Sequence, residues 1–299
     1  MTATPFLFPV LCFGASSLPL CAVDWVLPEV NAPGVRRQVF QSCAAGADVS
    51  YHAYTPPTYE AEPERRFPVL YWLHGSGGGG SGIAPLARQF DAAIRAGKIP
   101  PLIVVFPNGL PNGMWCDSAD GATPVETIVI RELIPHVDAT LRTLDKREGR
   151  LIDGFSMGGY GAARLGFKYH QLFAAVSMFG AGPMQLDFSV TPRAGPAQRD
   201  HVLNTVYGGS YETFKALSPW RIAEQHASAL RQGLLVRLVV GDRDETLPAN
   251  REFHLHLERL QIPHTYRELP GIPHNPMAVL GALGDDHWAF YKQALAGVK

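Results

Sequence analysis

Metal-binding and dithiol signatures are missing from this chain. The four cysteines, Cys12, Cys21, Cys43 and Cys116, include no C-x-x-C pair, which argues against zinc and redox motifs. There is no H-E-x-x-H, and His254 and His256 stand two apart in a helical stretch, so they face different directions. Charge of either sign is not in excess: 26 Lys and Arg against 27 Asp and Glu leave a net charge of -1. No basic stripe favours nucleic acid, and no acidic run suggests a solvating tail. The glycines at 77–80 are not followed by Gly-Lys-Ser/Thr, so a phosphate-binding loop is excluded. Beyond the first 22 residues no apolar run approaches membrane-spanning length, and no internal repeat is found. These absences lead us to expect a chain with no metal, no cofactor, no nucleic-acid partner and no membrane span.

The N-terminus is the exception to an otherwise ordinary composition. Pro5 to Ala22 is apolar, rich in small residues and uncharged, as in a secretory signal ending at Leu20-Cys21-Ala22. That reading makes 1–22 a signal peptide and the protein secreted or periplasmic. Met1 to Thr4 has no Lys or Arg, and Pro9, Gly14 and Pro19 interrupt the run, which supports a cytoplasmic alternative. After cleavage only Cys43 and Cys116 would remain, either paired in an oxidising compartment or left as small hydrophobes.

A hydrophobic fraction of 46% over 299 residues is enough for a large core, and no linker divides 23–299, so one domain is expected. Residues 38–41 and 49–54 read as two short strands around a turn at Gly46. Further strands are read at 69–73, 102–106, 150–153, 173–179, 234–240 and 264–269, and the continuous apolar run at 69–73 is typical of a strand covered on both faces. Helical stretches alternate with them at 83–97, 123–142, 159–169, 220–231, 248–260 and 285–296. Thr123-Pro124-Val125-Glu126 reads as an N-cap with proline at the first helical position and glutamate three after the cap, and Pro135 should disturb that helix. The alternation predicts an α/β fold with a mostly parallel central sheet and helices on both faces. Ligands of such sheets bind beyond the carboxyl ends of the strands.

One strand end carries Gly154-Phe155-Ser156-Met157-Gly158, a G-x-S-x-G turn between a strand and a helix. A sharp turn there exposes the serine oxygen and aims a helix N-terminus at a developing anion. Ser156 is therefore the candidate nucleophile. Of eleven histidines, His274 lies in the loop directly after the last strand and is the preferred base, with His287 as the alternative. The acid that orients it comes from Gly241-Asp242-Arg243-Asp244-Glu245. Asp242, nearer the strand end, suits turn amides, and Asp244, farther out, suits the histidine. The glycine-rich loop His74 to Gly80 should present backbone amides, so the N–H groups of Ser76 and Met157 are the candidate oxyanion donors, with His74 bracing the loop. Trp115 and Asp117 either line a substrate pocket or are a packed tryptophan and a turn aspartate. The Pro/Gly-rich segment Gly182 to Asp200 reads as an irregular loop over the site. Its Met184, Leu186 and Phe188 would touch an acyl or aromatic group, or anchor the loop to the core.

Taken together, Pro68-Val-Leu-Tyr-Trp-Leu-His-Gly-Ser-Gly-Gly, Glu132-Leu-Ile-Pro, Gly154-Phe-Ser-Met-Gly-Gly-Tyr-Gly-Ala, Gly241-Asp-Arg-Asp and Pro273-His-Asn resemble the esterase D, feruloyl esterase and mycolyltransferase group of α/β-hydrolases. The resemblance runs from about Arg66 to Tyr291 and omits Gly182 to Tyr207. It implies carboxylic ester hydrolysis through Ser156, Asp244 and His274, in the chain order Ser, Asp, His, with amides at Ser76 and Met157. The resemblance implies a small-molecule or carbohydrate-linked ester substrate with a small or aromatic acyl group of the feruloyl or acetyl type. Acyl transfer to a sugar alcohol and S-formylglutathione-type thioester hydrolysis are the alternatives the group offers, and a non-catalytic binding module on the same scaffold is a third.

Overall fold

The apolar runs assemble into one eight-stranded sheet. The computed structural model describes residues 23–298; the expected signal segment, 1–22, lies outside them. The strands are β1 Val35–Ser42, β2 Ala47–Tyr54, β3 Val69–Leu73, β4 Ile103–Pro107, β5 Arg150–Phe155, β6 Ala175–Phe179, β7 Leu235–Arg243 and β8 Thr265–Pro273, in the order β1-β2-β4-β3-β5-β6-β7-β8. β1 and β2 form an antiparallel hairpin that joins β4 antiparallel, and the six strands from β4 to β8 run parallel. Side chains alternate across the pleat, so each parallel strand feeds two cores. Tyr71, Ile152, Val176 and Leu238 enter one, under the helices Met157–Lys168 and Pro219–Leu230. Leu70, Leu151, Ala175 and Val239 enter the other, under the helices Gly80–Arg95 and Asp285–Ala294. The mostly parallel sheet covered on both faces is thus present.

Four details differ from the expectation. The helix after Asp117 has a short α turn, Val125–Thr127, a π-helical stretch, Ile128–Leu133, and a second α segment, Ile134–Thr140, with Pro135 in its first turn. Thr123 does not cap it. Asp117 does that work, accepting from the Thr127 N–H at 2.9 Å and its hydroxyl at 2.6 Å. Glu126 is buried and paired with Arg164 and Lys168 rather than turned back to the helix start. Residues 182–200 are irregular only in their first part: Pro196 opens a helix, Pro196–Tyr207, and a second follows at Tyr211–Ala216. A further unexpected helix, Pro276–Leu283, is capped by Asn275, whose side chain accepts from the Ala278 N–H. Cys43 is exposed and Cys116 is buried, and both thiols are free, so the suggested pairing is not formed.

Candidate active site

The turn after β5 sets the position of Ser156. Its backbone has φ 59° and ψ -121°, a region most side chains avoid. Three hydrogen bonds hold it there: Ser156 N–H donates to the Phe179 carbonyl at 2.9 Å, and its carbonyl accepts from Tyr160 at 3.0 Å and Gly182 at 3.1 Å. The turn is tight enough that a Cβ on Gly158 would sit 1.9 Å from the Leu73 carbonyl oxygen. Glycine is required there because the helix start passes directly against the end of β3.

The ends of β7 and β8 bring two more side chains to this turn. His274 Nε2 is 2.9 Å from Ser156 Oγ, and His274 Nδ1 is 2.7 Å from Asp244 Oδ2. With Nδ1–H donating to the carboxylate, Nε2 is left as the acceptor for the serine hydroxyl. Asp244 is buried, and its other oxygen accepts from the Thr246 N–H at 2.8 Å and hydroxyl at 2.7 Å. Burial pushes the Asp244 carboxyl up, but the bonds from His274 and Thr246 outweigh it and hold the pKa below the usual carboxylate range. Gly180, at φ 47°, lies beneath this pair, and a Cβ there would fall 2.7 Å from Asp244 Oδ2. Thr246 and Gly180 were missed in the sequence; the Asp-x-Thr spacing, which suits a side chain bonding the backbone two residues on, could have indicated the first.

The alternative residues, Asp242 and His287, have other positions. Asp242 accepts from the Gly271 N–H at 2.6 Å, so it fixes the turn that leads to His274. His287 is buried among Phe90, Phe179, Trp288 and Tyr291, with Nδ1 3.4 Å from Arg237 Nη2. Burial, reinforced by the Arg237 charge, pushes its pKa well below the ordinary value. It belongs to a buried polar cluster in which the Tyr291 hydroxyl donates to Asp153 at 2.5 Å and Arg237 bonds Ser177.

The glycine-rich loop after β3 is braced as expected. His74 Nδ1–H donates to the Gly75 carbonyl at 2.8 Å, Nε2 accepts from the Gly109 N–H at 3.0 Å, and Trp115 Nε1–H donates to the His74 carbonyl at 3.2 Å. Met157 opens its helix, so its N–H has no acceptor within that helix. Among the described residues no other backbone carbonyl takes that N–H or the N–H of Ser76. Burial pushes the His74 imidazole down from 6.5 to about 4, against its bond to Gly75. The unfolded chain therefore binds a proton between these pH values that the folded one refuses. Stability present above pH 6.5 should fall by about 3 kcal/mol as pH drops to 4, on this residue's account. Urea unfolding across that window should show the slope in the wild type and lose this share of it in His74→Gln. A difference between the two proteins that does not vary with pH would contradict the assignment.

A cavity of about 470 Å³ opens onto Ser156 and His274. It lies along the carboxyl edge of the sheet, lined by Trp72, Ile83, Leu86 and Phe106 from β3, the helix Gly80–Arg95 and β4, and by Pro183, Pro192 and Arg193 from the segment after β6. That segment does cover the site. Its Met184 and Phe188 are buried in the core and Leu186 is exposed, so these three anchor the segment or face outward and do not line the cavity. Trp115 and Asp117 are also absent from the wall. Trp115 is fully buried against His74, and Asp117 starts the following helix, so the packed tryptophan and turn aspartate describe them.

Comparison with known proteins shows the family of the chain. The model of the family described as "Putative esterase" matches residues 42–299, and the chain belongs to that family. An esterase of Mycobacterium tuberculosis (strain H37Rv) is 30% identical over 264 residues, covering 81% of this chain and 56% of the relative. The chain thus spans about half the length of that relative. An endo-1,4-beta-xylanase/feruloyl esterase of Xylanibacter ruminicola is 28% identical over 174 residues, 56% of this chain and 24% of the relative. Among solved structures, a ferulic acid esterase superposes with TM-score 0.74 at 24% identity, covering 87% of this chain and 98% of that one. An S-formylglutathione hydrolase from Agrobacterium tumefaciens gives 0.70 at 18%, covering 90% and 99%. The fold is that of the α/β-hydrolase esterases.

Proposed function

We propose that this member of the esterase family hydrolyses carboxylic esters through an acyl-enzyme on Ser156. The observation that carries the proposal is the continuous hydrogen-bonded chain from Ser156 Oγ through His274 to Asp244, at 2.9 and 2.7 Å. His274 Nε2 takes the hydroxyl proton as Oγ attacks the ester carbonyl carbon. Asp244 holds the tautomer and stabilises the imidazolium. The N–H groups of Ser76 and Met157 receive the oxyanion, each contributing about 10²–10³ in turnover. The tetrahedral species collapses when His274 returns the proton to the leaving alcohol oxygen. Water then attacks the acyl carbon as His274 takes its proton, and His274 passes that proton to Ser156 Oγ as the acyl–Oγ bond breaks, releasing the acid and restoring Ser156.

The cavity supports a substrate class. Its apolar lining residues Trp72, Leu86 and Phe106 suit a small or aromatic acyl group of the acetyl or feruloyl type. The feruloyl esterase relative supports the same class. Among the described residues no helix is long and apolar enough to cross a membrane. The test is hydrolysis of p-nitrophenyl acetate, butyrate and octanoate and of methyl ferulate, with product analysis in the presence of glycerol. Acetate, butyrate or methyl ferulate should be cleaved faster than octanoate, with free acid as the main product. Faster cleavage of octanoate would overturn the acyl assignment, and acyl-glycerol as the main product would make the protein a transferase.

A further inference from the structure

Among the described residues Arg193 is the one permanently charged residue in the cavity wall, and no Asp, Glu or Lys lines it. Its backbone is held firmly. It sits at φ 65° directly after Pro192, and Arg199 Nη1 donates to the Thr191 carbonyl at 3.3 Å and the Ala194 carbonyl at 3.0 Å, on either side of it. The side chain is held only loosely. Its guanidinium meets Glu245 at 3.0 Å, in a pair whose side chains are 44% and 56% exposed. Such a pair contributes little and exchanges readily for another anion. A planar guanidinium offers a carboxylate two parallel N–H donors, a geometry that suits recognition of that group.

The position of Glu245 tells which half of an ester this charge would meet. Glu245 follows Asp244, the partner of His274, and Thr246 beside it is in the cavity wall. The guanidinium therefore lies towards the histidine end of the cavity. The leaving oxygen must be at that end, because His274 Nε2 is the group that protonates it. The apolar residues Trp72, Ile83, Leu86 and Phe106 come from β3, the helix Gly80–Arg95 and β4, towards the opposite end of the sheet edge from β7. An acyl group in the apolar end and an alcohol under Arg193 fill the cavity without placing a charge against an apolar wall.

We propose that Arg193 is a specificity-determining residue that recognises an anionic group, such as a carboxylate, on the alcohol portion of the ester, with Glu245 as the competing anion that holds it when the site is empty. This rests on the Ser156 chemistry proposed above. The test compares kcat/KM for two acetyl esters, of 4-hydroxybenzoate and of its methyl ester, which differ in one charge on the alcohol. Intrinsic reactivity cancels when the ratio of the two is compared between variants. Arg193→Gln should lower the anionic-to-neutral ratio about tenfold, Arg193→Lys should lower it less, and Glu245→Gln should raise it about threefold. The ratio for p-nitrophenyl hemisuccinate against p-nitrophenyl butyrate, where the charge is on the acyl side, should not move. Ratios unchanged in both Arg193→Gln and Glu245→Gln overturn the proposal, and so does a change confined to the hemisuccinate pair. A second measurement separates this outcome from failure of the esterase reading. Calorimetric titration of Ser156→Ala with the anionic ester should give a Kd that rises about tenfold when Arg193→Gln is added. If the wild type cleaves neither ester but that Kd still shifts, the chemistry is wrong and the anion site stands. No shift in Kd overturns the anion site.

Discussion

Ser156→Ala is expected to lower kcat/KM by about 10⁴–10⁶-fold on whatever ester the protein cleaves best. The size of the effect follows from the removal of the attacking atom; what remains is binding and the two amide donors, worth a residual rate above that in water. The fold should not suffer. Ser156 uses its main chain to hold the turn, through Phe179, Tyr160 and Gly182, and alanine keeps all three bonds. The strained φ of 59° is already imposed on a residue with a Cβ, so alanine adds no new steric conflict. Circular dichroism and the unfolding midpoint should therefore match the wild type. A variant retaining a tenth or more of the activity would remove Ser156 from the chemistry.

His274→Ala is expected to cost nearly as much, because the serine and its base act as one unit and the loss of either disables both. Asp244→Asn should be comparable or milder, near 10⁴-fold, since the amide leaves the geometry almost intact but favours the wrong tautomer of His274. The two carry different structural risks. The His274 side chain is 6% exposed on the loop after β8, whereas Asp244 is fully buried and accepts both donors of Thr246. Asp244→Asn can still accept from Thr246 through its carbonyl oxygen, so its defect should appear in kcat far more than in stability. If Asp242→Asn or His287→Ala proved the crippling change, the pairing of Asp244 with His274 would not be the working one. Loss through His287→Ala would have to be separated from unfolding, because that ring fills a buried space between Phe90, Phe179 and Tyr291.

The parts of this molecule that were legible in the chain are those where one physical signal dominates. β3 and β4 are apolar on both faces because helices cover both, and such runs stand out without any alignment. The turn at Ser156 was legible because only glycine fits where the helix start meets Leu73. The preference for Asp244 over Asp242 rested on the distance from the strand end, and the 2.7 Å contact of Asp244 with His274 supports it. The segment after β6 was harder. Its helix Pro196–Tyr207 buries Val202, Leu203, Val206 and Tyr207, all in its second half, so the first half shows no apolar period. The helix Pro276–Leu283 had a readable start in Asn275-Pro276, but its apolar, glycine-containing body has no polar face to mark it as a surface helix. Trp115 was ambiguous for a different reason: a tryptophan after a central strand can face the cavity or the loop beneath it. Here a single bond to the His74 carbonyl fixes the inward choice. Arg193 carries no sequence signal at all, since its meaning depends on a loop path and on Glu245, more than fifty residues away.

The most direct test of the account is the site of covalent capture. The wild-type protein is treated with an alkyl fluorophosphonate, digested, and mapped by peptide mass spectrometry, with His274→Ala treated in parallel. One phosphonyl group per chain on the peptide containing Ser156, formed quickly in the wild type and far more slowly without His274, is the predicted result. No adduct, or an adduct on another serine such as Ser76 or Ser81, would contradict it.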